Sequence, residues 1–151
     1  MTKNFGNYLF DGNDPGSRIV SNTSVGNFGT GDFTLELWVY RSASGATHAL
    51  IGKGSGTTGW LLSINSSNQV VWTSTTTALK TSTTTIAATT WTYIAITRSG
   101  TTGYMFINGT QEGATFTDNT NYNQTNNMIV GADRSGANGL VGFFDDVRIT
   151  T

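Results

Sequence analysis

Side chains able to do acid–base or nucleophilic chemistry are few in this chain and widely spaced. Its 151 residues carry nine acids, only two of them glutamates (Glu36 and Glu112), one histidine (His48) and no cysteine. Hydrolysis of a glycosidic bond needs two carboxylates facing one cleft, one as acid and one as base or nucleophile. Neither glutamate has an acid two residues away, so the acids do not alternate along a strand. The lone His48 excludes a Ser–His–acid triad centred elsewhere and reads as a strand-edge residue rather than a ligand or base. No zinc-binding set is present, and disulfide and thiol chemistry are excluded. Catalysis is not expected.

Other residues could bind rather than react. Asp11-Gly-Asn-Asp-Pro-Gly16 could wrap an oxygen-ligated cation, although any tight turn asks for the same residue types. Trp60, Trp72, Tyr40 and Tyr122 could offer flat faces to sugar rings, with Asn, Thr and Asp reading hydroxyls. Aromatics at strand spacing are more often packed inside. On that ground Trp38 and Trp91 are assigned to the core, while Trp72 and Tyr122 stay as candidate ligand-binding residues.

The elements that must hold these side chains are strands. Nineteen glycines, eight Phe, five Tyr and four Trp accompany only 11% charged residues. Many turn formers and few long helix formers point to one all-β domain over residues 1–151. The net charge is −1, and no basic patch could neutralise a row of phosphates, so nucleic acid is not an expected partner. No apolar run approaches about 18 residues, so no membrane insertion is expected. The opening MTKNFGNYLFDG lacks the basic-then-apolar order of a secretion signal, so a surface location would be reached by another route.

The clearest stretch runs from Trp91 to Gly109. Trp91, Tyr93, Ala95 and Thr97 fall on one face, and Thr92, Ile94, Ile96 and Arg98 on the other, the period of a strand. Ser99 to Gly103 turns the chain, Tyr104 to Ile107 returns, and Asn108-Gly109 suits a tight turn. Apolar residues on both faces predict a central hairpin between packed layers. Phe33 to Tyr40 alternates equally well, with Thr34, Glu36, Trp38 and Tyr40 on one face. A buried Glu36 needs a partner, and Arg148 is the candidate for a structural ion pair. Further strands are read at 8–10, 18–20, 48–52, 60–64, 69–72, 127–130 and 140–150. Thr73 to Thr90 is predicted as two exposed Thr-rich strands anchored by Leu79 and Ile86, and Asp118 to Asn127 as a surface loop. In the last strand Val141, Phe143, Val147 and Ile149 share a phase with Asp145. An acid in the core phase must cap backbone N–H groups at a bend or bind a cation.

Taken in order, DFTLELWVY (32–40), ALIGKG (49–54), GWLLSI (59–64), TWTYIAITRSG (90–100), YMFINGTQEG (104–113), MIVGA (128–132) and GFFDDVRIT (142–150) form a set. Preceded by YLFDGNDPGSRIV (8–20), this set resembles the laminin-G-like, or concanavalin A-like, jelly-roll family. The resemblance implies two antiparallel sheets packed as a jelly-roll sandwich, with the first and last strands meeting at one edge. Some members carry calcium near such a rim. The resemblance puts the tail acid on Asp145, with Asp146 beside it and Asp11 in the first turn, as a shared calcium site. The chain departs from the family at Tyr93, where a His is frequent, and at Asn108, where an Asp is frequent.

Two functional readings follow. The first is a non-catalytic interaction module on a particle or cell surface: a bacteriophage virion structural protein, either a capsid decoration (cement) protein or a tail-fibre domain. Its partners would be the proteins of a virion or surface assembly. The Thr/Asn/Gly-rich, cysteine-free composition favours it. The alternative is a lectin-like carbohydrate-binding domain of a secreted or adhesive protein, with glycans as partners. Both imply a virion or extracellular surface.

Overall fold

The computed structural model describes residues 8–11 and 18–151. Thirteen strands follow one another: β1 Tyr8–Asp11, β2 Ile19–Val20, β3 Phe33–Arg41, β4 His48–Lys53, β5 Trp60–Ile64, β6 Gln69–Ser74, β7 Thr77–Thr85, β8 Trp91–Ser99, β9 Thr102–Ile107, β10 Thr110–Gln111, β11 Phe116–Thr117, β12 Met128–Val130 and β13 Val141–Thr150. A seven-stranded sheet runs β1-β13-β3-β8-β9-β10, with β11 also on β9, and a six-stranded sheet runs β2-β12-β4-β5-β6-β7. Neighbouring strands pair antiparallel, and the first and last described strands, β1 and β13, pair with each other. This is the all-β, two-sheet jelly-roll sandwich that the strand order predicts.

Alternation decides what lies between the sheets. Leu35, Leu37 and Val39 of β3 and Ile94 and Ile96 of β8 face inward. They meet Trp60, Leu62, Ile64, Val70 and Trp72 from β5 and β6, all fully buried. One end of the core is aromatic: Phe28 stacks on Phe33 at 4.1 Å, and Trp60 on Trp72 at 5.5 Å between ring centroids. Such pairs add about 0.5–1.5 kcal/mol each beyond the area they bury.

Three of the chain's eight Lys and Arg residues, Arg41, Lys53 and Arg98, are buried in this interior. Arg98 ends the inward row of β8. Its Nε donates to the Gly31 carbonyl, Nη1 to that of Thr120 and Nη2 to those of Gly29 and Gly31, at 2.7–3.0 Å. Nη1 lies 3.6 Å from the Asp118 carboxylate. The Lys53 ammonium donates to the carbonyls of Thr23, Val25 and Asn126 at 2.6–2.8 Å, and burial pushes its pKa down. Arg41 donates to Asn68 and to the Ile86 carbonyl, and neither its Nε nor the Nε2 of His48 has a partner among the described residues.

Some expectations change. Thr73 to Thr90 holds one exposed nine-residue strand, β7, because β6 continues to Ser74 and turns at Thr75 with φ at 57°. The exposed β7 ends its sheet, and its Thr-rich, bulged outline suits an edge. The stretch predicted as a surface loop, Asp118 to Asn127, sends Asp118 and Tyr122 inside. The hydroxyl of Tyr122 donates to Asp118, and burial, then the neighbouring carboxylate, raises its pKa to about 12. His48 is buried rather than exposed at an edge.

Two measurements test this interior. Arg98→Met should cost about 3–5 kcal/mol in urea unfolding, because Asp118 is left uncompensated. Adding Asp118→Asn should recover part of that loss. Burial lowers the His48 pKa below the ordinary 6.5; the hydrogen bond with the Gly139 carbonyl offsets part of this, and the charge of Arg41 adds a smaller lowering. The unfolded chain therefore takes up the proton first. This stability is complete above pH 6.5 and declines as pH falls below it. Melts at about pH 7.5 and about pH 5.5 should differ in wild type, and His48→Gln should shrink the difference. The Glu112 carboxyl, which burial raises but hydrogen bonds from Thr84 and Thr83 hold below its usual range, acts only at lower pH.

Candidate functional site

The outward phase of β3 and β8 builds an aromatic face on the seven-stranded sheet. Tyr40 pairs with Trp91, Trp38 with Tyr93, Glu36 with Ala95 and Thr34 with Thr97. Trp38 is 38% exposed, an unusual position for the largest apolar side chain, and its ring centroid lies 5.5 Å from that of Tyr93. Tyr40 touches Trp91 at 5.7 Å on one side and Phe143 at 5.8 Å on the other. Half-buried Tyr104 and Phe106 extend the face across β9, stacked at 6.5 Å.

A bulge in β13 completes the face. The register shifts between Asp145 and Arg148, with Asp146 in the left-handed region at φ 50°. One extra residue reverses which alternate positions face inward. Before the bulge Phe144 is inside, edge-on to Phe10 at 5.0 Å, and Phe143 is outside. After it Ile149 packs on the core and Arg148 faces outward. Phe143, Asp145, Val147 and Ile149 therefore do not share an inward phase. Asp145 is half-buried opposite Trp38 on the outer face, and its carboxylate accepts the Asp146 N–H at 2.8 Å. That bond fixes the bend.

The same register sets Arg148 against Glu36. Nε and Nη2 of Arg148 both donate to Oε1 of Glu36, and the Tyr93 hydroxyl donates to Oε2. Burial first, then the hydrogen bond and charge of Glu36, pushes the Tyr93 phenol up to about 12. The hydrogen bond to Glu36 also raises the Arg148 guanidinium. With both oxygens engaged, Glu36 is a fixed polar anchor beside the aromatic rows.

Trp72 and Tyr122, the candidate ligand-binding residues, are both fully buried. Trp72 donates through Nε1 to Asp118 at 3.3 Å and packs against Tyr122 at 5.9 Å. Neither can present a ring to a ligand. Trp38 and Trp91, assigned to the core, lie on the outer phase instead. The signal was in the phase: Trp38 alternates with Leu37 and Val39 and shares its face with Thr34 and Glu36. For the metal site, the side chain of Asp11 and the turn at 12–17 lie outside the described residues. The backbone register pairs Asp11 with Val141, four residues from Asp145, or about 13 Å along the strand. Among the described residues, no three His, Cys, Asp or Glu converge on a cation.

The reversed exposure of the two tryptophans is measurable. Trp72→Ala should cost about 3–5 kcal/mol in urea unfolding. Trp38→Ala should cost about 1 kcal/mol or less.

Solved structures share this architecture. A Bacteroides ovatus protein described as carbohydrate-binding aligns with a TM-score of 0.63 at 14% identity, over 87% of this chain and 40% of its own. Domain 4 of AbnA, an extracellular arabinanase of Geobacillus stearothermophilus solved with arabinotriose, aligns at 0.62 and 15%, over 95% and 89%. The carbohydrate-binding module CBM66 of Bacillus subtilis aligns at 0.57 and 12%, over 80% and 76%. Enzymes occur among the matches as well as binding modules. At these identities the likeness is one of fold. No curated protein sequence matches the chain. Residues 11–151 match the family described as the concanavalin A-like lectin/glucanases superfamily, and the chain belongs to that family.

Proposed function

We propose that this chain is a non-catalytic carbohydrate-binding domain that takes sugar on the outer face of its seven-stranded sheet. The observation that carries the reading is the exposed Trp38, backed by Tyr93 and Tyr40 and bordered by the fixed Glu36–Arg148 pair. The C–H face of a sugar ring packs on an indole, and the phenolic and carboxylate edges of the patch accept or donate to its hydroxyls. A contiguous exposed aromatic patch marks an interaction surface. The binding modules that share the fold support glycan as the partner, and an extracellular or cell-surface location accords with it.

Catalysis is disfavoured by how the acids are used. Glu36 is held by Arg148 and Tyr93. One oxygen of Glu112 accepts from Thr83 and Thr84. Asp118 is committed to Arg98, Tyr122 and Trp72. The bacteriophage virion reading rests on composition, and no feature of the fold favours it over glycan binding.

The test is a broad glycan array, run with calcium and again with chelator because Asp145 and Asp146 stand together at the rim of the face. Wild type should be retained on one glycan class, and Trp38→Ala should bind that class at least tenfold more weakly, about 1.4 kcal/mol, with an unchanged melt. Silence across the array in both conditions, or full binding by Trp38→Ala, would overturn the proposal.

A further inference from the structure

The face that carries Trp38 continues beyond the aromatic rows. Further along β3, β8 and β13, Thr150 pairs with Thr34 and Thr34 with Thr97. Together with Asp32 and Ser99 these threonines line an open groove of about 380 Å³. Asp32 is anchored there, one carboxylate oxygen accepting the Gly100 N–H at 2.7 Å. Read along β3, the outward residues are Tyr40, Trp38, Glu36, Thr34 and Asp32. Along β8 they are Trp91, Tyr93, Ala95, Thr97 and Ser99. The two strands lie side by side in register, so the face is graded. One end is aromatic, the other is hydroxyl-lined, and the ion pair lies between.

The groove and the aromatic rows lie on the same face of the same strands. Trp38 and Thr34 are four residues apart, about 13 Å along the strand, which is longer than one sugar ring. Ala95, the outward residue between Tyr93 and Thr97, is small and only 5% exposed because its neighbours cover it, and the Glu36–Arg148 pair lies at this level between the two ends. The groove is open rather than an enclosed pocket that would grip a single terminal sugar. Charge narrows the choice further. Asp32, Asp145 and Asp146 lie along or beside this path; of the two cations beside it, Arg148 is paired with Glu36, and Arg98, which also lines the groove, is 2% exposed and committed to the carbonyls of Gly29, Gly31 and Thr120 and to Asp118. An acidic surface repels uronate, sulfated and sialylated chains.

Resting on the glycan-binding reading above, we infer that the ligand is an unbranched, uncharged polysaccharide segment lying along β3 and β8. One part stacks on Trp38 and Tyr93, and another hydrogen-bonds in the groove of Thr34, Thr97 and Asp32. Specificity for chain length therefore resides in the threonine groove, whereas the aromatic rows supply contact that a shorter sugar also makes.

Calorimetric titration with linear gluco-, xylo- and arabino-oligosaccharides, from monosaccharide to hexasaccharide, tests this, with an oligouronate as the charged comparison. Wild-type affinity for one neutral series should rise at least tenfold between the monosaccharide and the tetrasaccharide, with weaker or no binding of the oligouronate. Thr34→Val with Thr97→Val keeps shape and β-propensity while removing two hydroxyls. It should lower tetrasaccharide affinity and leave the disaccharide unchanged. Thr97→Arg, which fills the groove, should do the same, and thermal melts show whether each variant is folded. Equal affinity for monosaccharide and tetrasaccharide, both lost in Trp38→Ala, would overturn the extended-chain inference while the glycan reading stands. Binding of the oligouronate as tightly as the neutral chains would overturn it too. Wild type binding no member of these series would overturn the inference, and silence across the glycan array as well would overturn the glycan reading with it.

Discussion

A buried guanidinium holds one end of this sandwich closed. Arg98 sits on the inward face of β8, where a sheet residue would ordinarily be apolar. It is only 2% exposed, and its three nitrogens donate to carbonyls of two separate segments, 29–31 and 120. Those carbonyls belong to connections between strands, and that of Gly29 also accepts the Tyr122 N–H at 2.9 Å. The arginine answers several at once and lies 5.0 Å and 5.1 Å over the rings of Phe33 and Tyr122. The aromatic end of the core can therefore close over polar backbone. Lys53 does the same for the segments around Thr23, Val25 and Asn126. In a fold with no helix among its described residues and many long connections, these internal cations do for loops what ladders do for strands.

This use of charge explains the composition. Only eight Lys and Arg residues are present, and three are inside. Of those outside, Arg134 donates to the carbonyls of Thr58 and Thr75, Lys80 to that of Ala114, and Arg148 to Glu36. These cations are spent on the chain's own backbone and acids. A surface built this way has little to offer a phosphate backbone, the same conclusion that net charge alone suggested.

Much of the fold was legible because alternation is a physical requirement of a sheet with one dry face. In β3 the leucines and valine, not the tryptophan, mark the core side, and Arg98 shares its phase with Ile94 and Ile96. What was not legible has a common cause. The β13 bulge adds a single residue and leaves the alternation on each side of it locally intact, so the switch of face between Phe144 and Ile149 leaves no trace in the pattern. Asp118 and Tyr122 lie in an Asn- and Thr-rich stretch whose composition reads as surface. They go inside beside Arg98, which brings a guanidinium to the anion and the ring from β8. Tertiary pairing of that kind has no local signature. Trp72, in phase with the buried Val70, donates its indole N–H to the same Asp118.

The bulge and the buried cations meet in the outer face. If β13 ran without a bulge, Arg148 would fall on the inward phase and Glu36 would face outward without its partner. The half-buried carboxylate would then have to be neutral or solvated, and the Tyr93 hydroxyl would lose the fixed acceptor that orients it. With the bulge, one misaligned residue places the ion pair beside the aromatic rows and keeps Ile149 in the core. With Arg41, Lys53, Lys80, Arg98 and Arg134 committed elsewhere, the face keeps aromatic rings, hydroxyls and acids. Its chemistry is thus a consequence of how the interior is neutralised. A change that freed an internal cation to the surface would alter the character of the face without touching any residue on it.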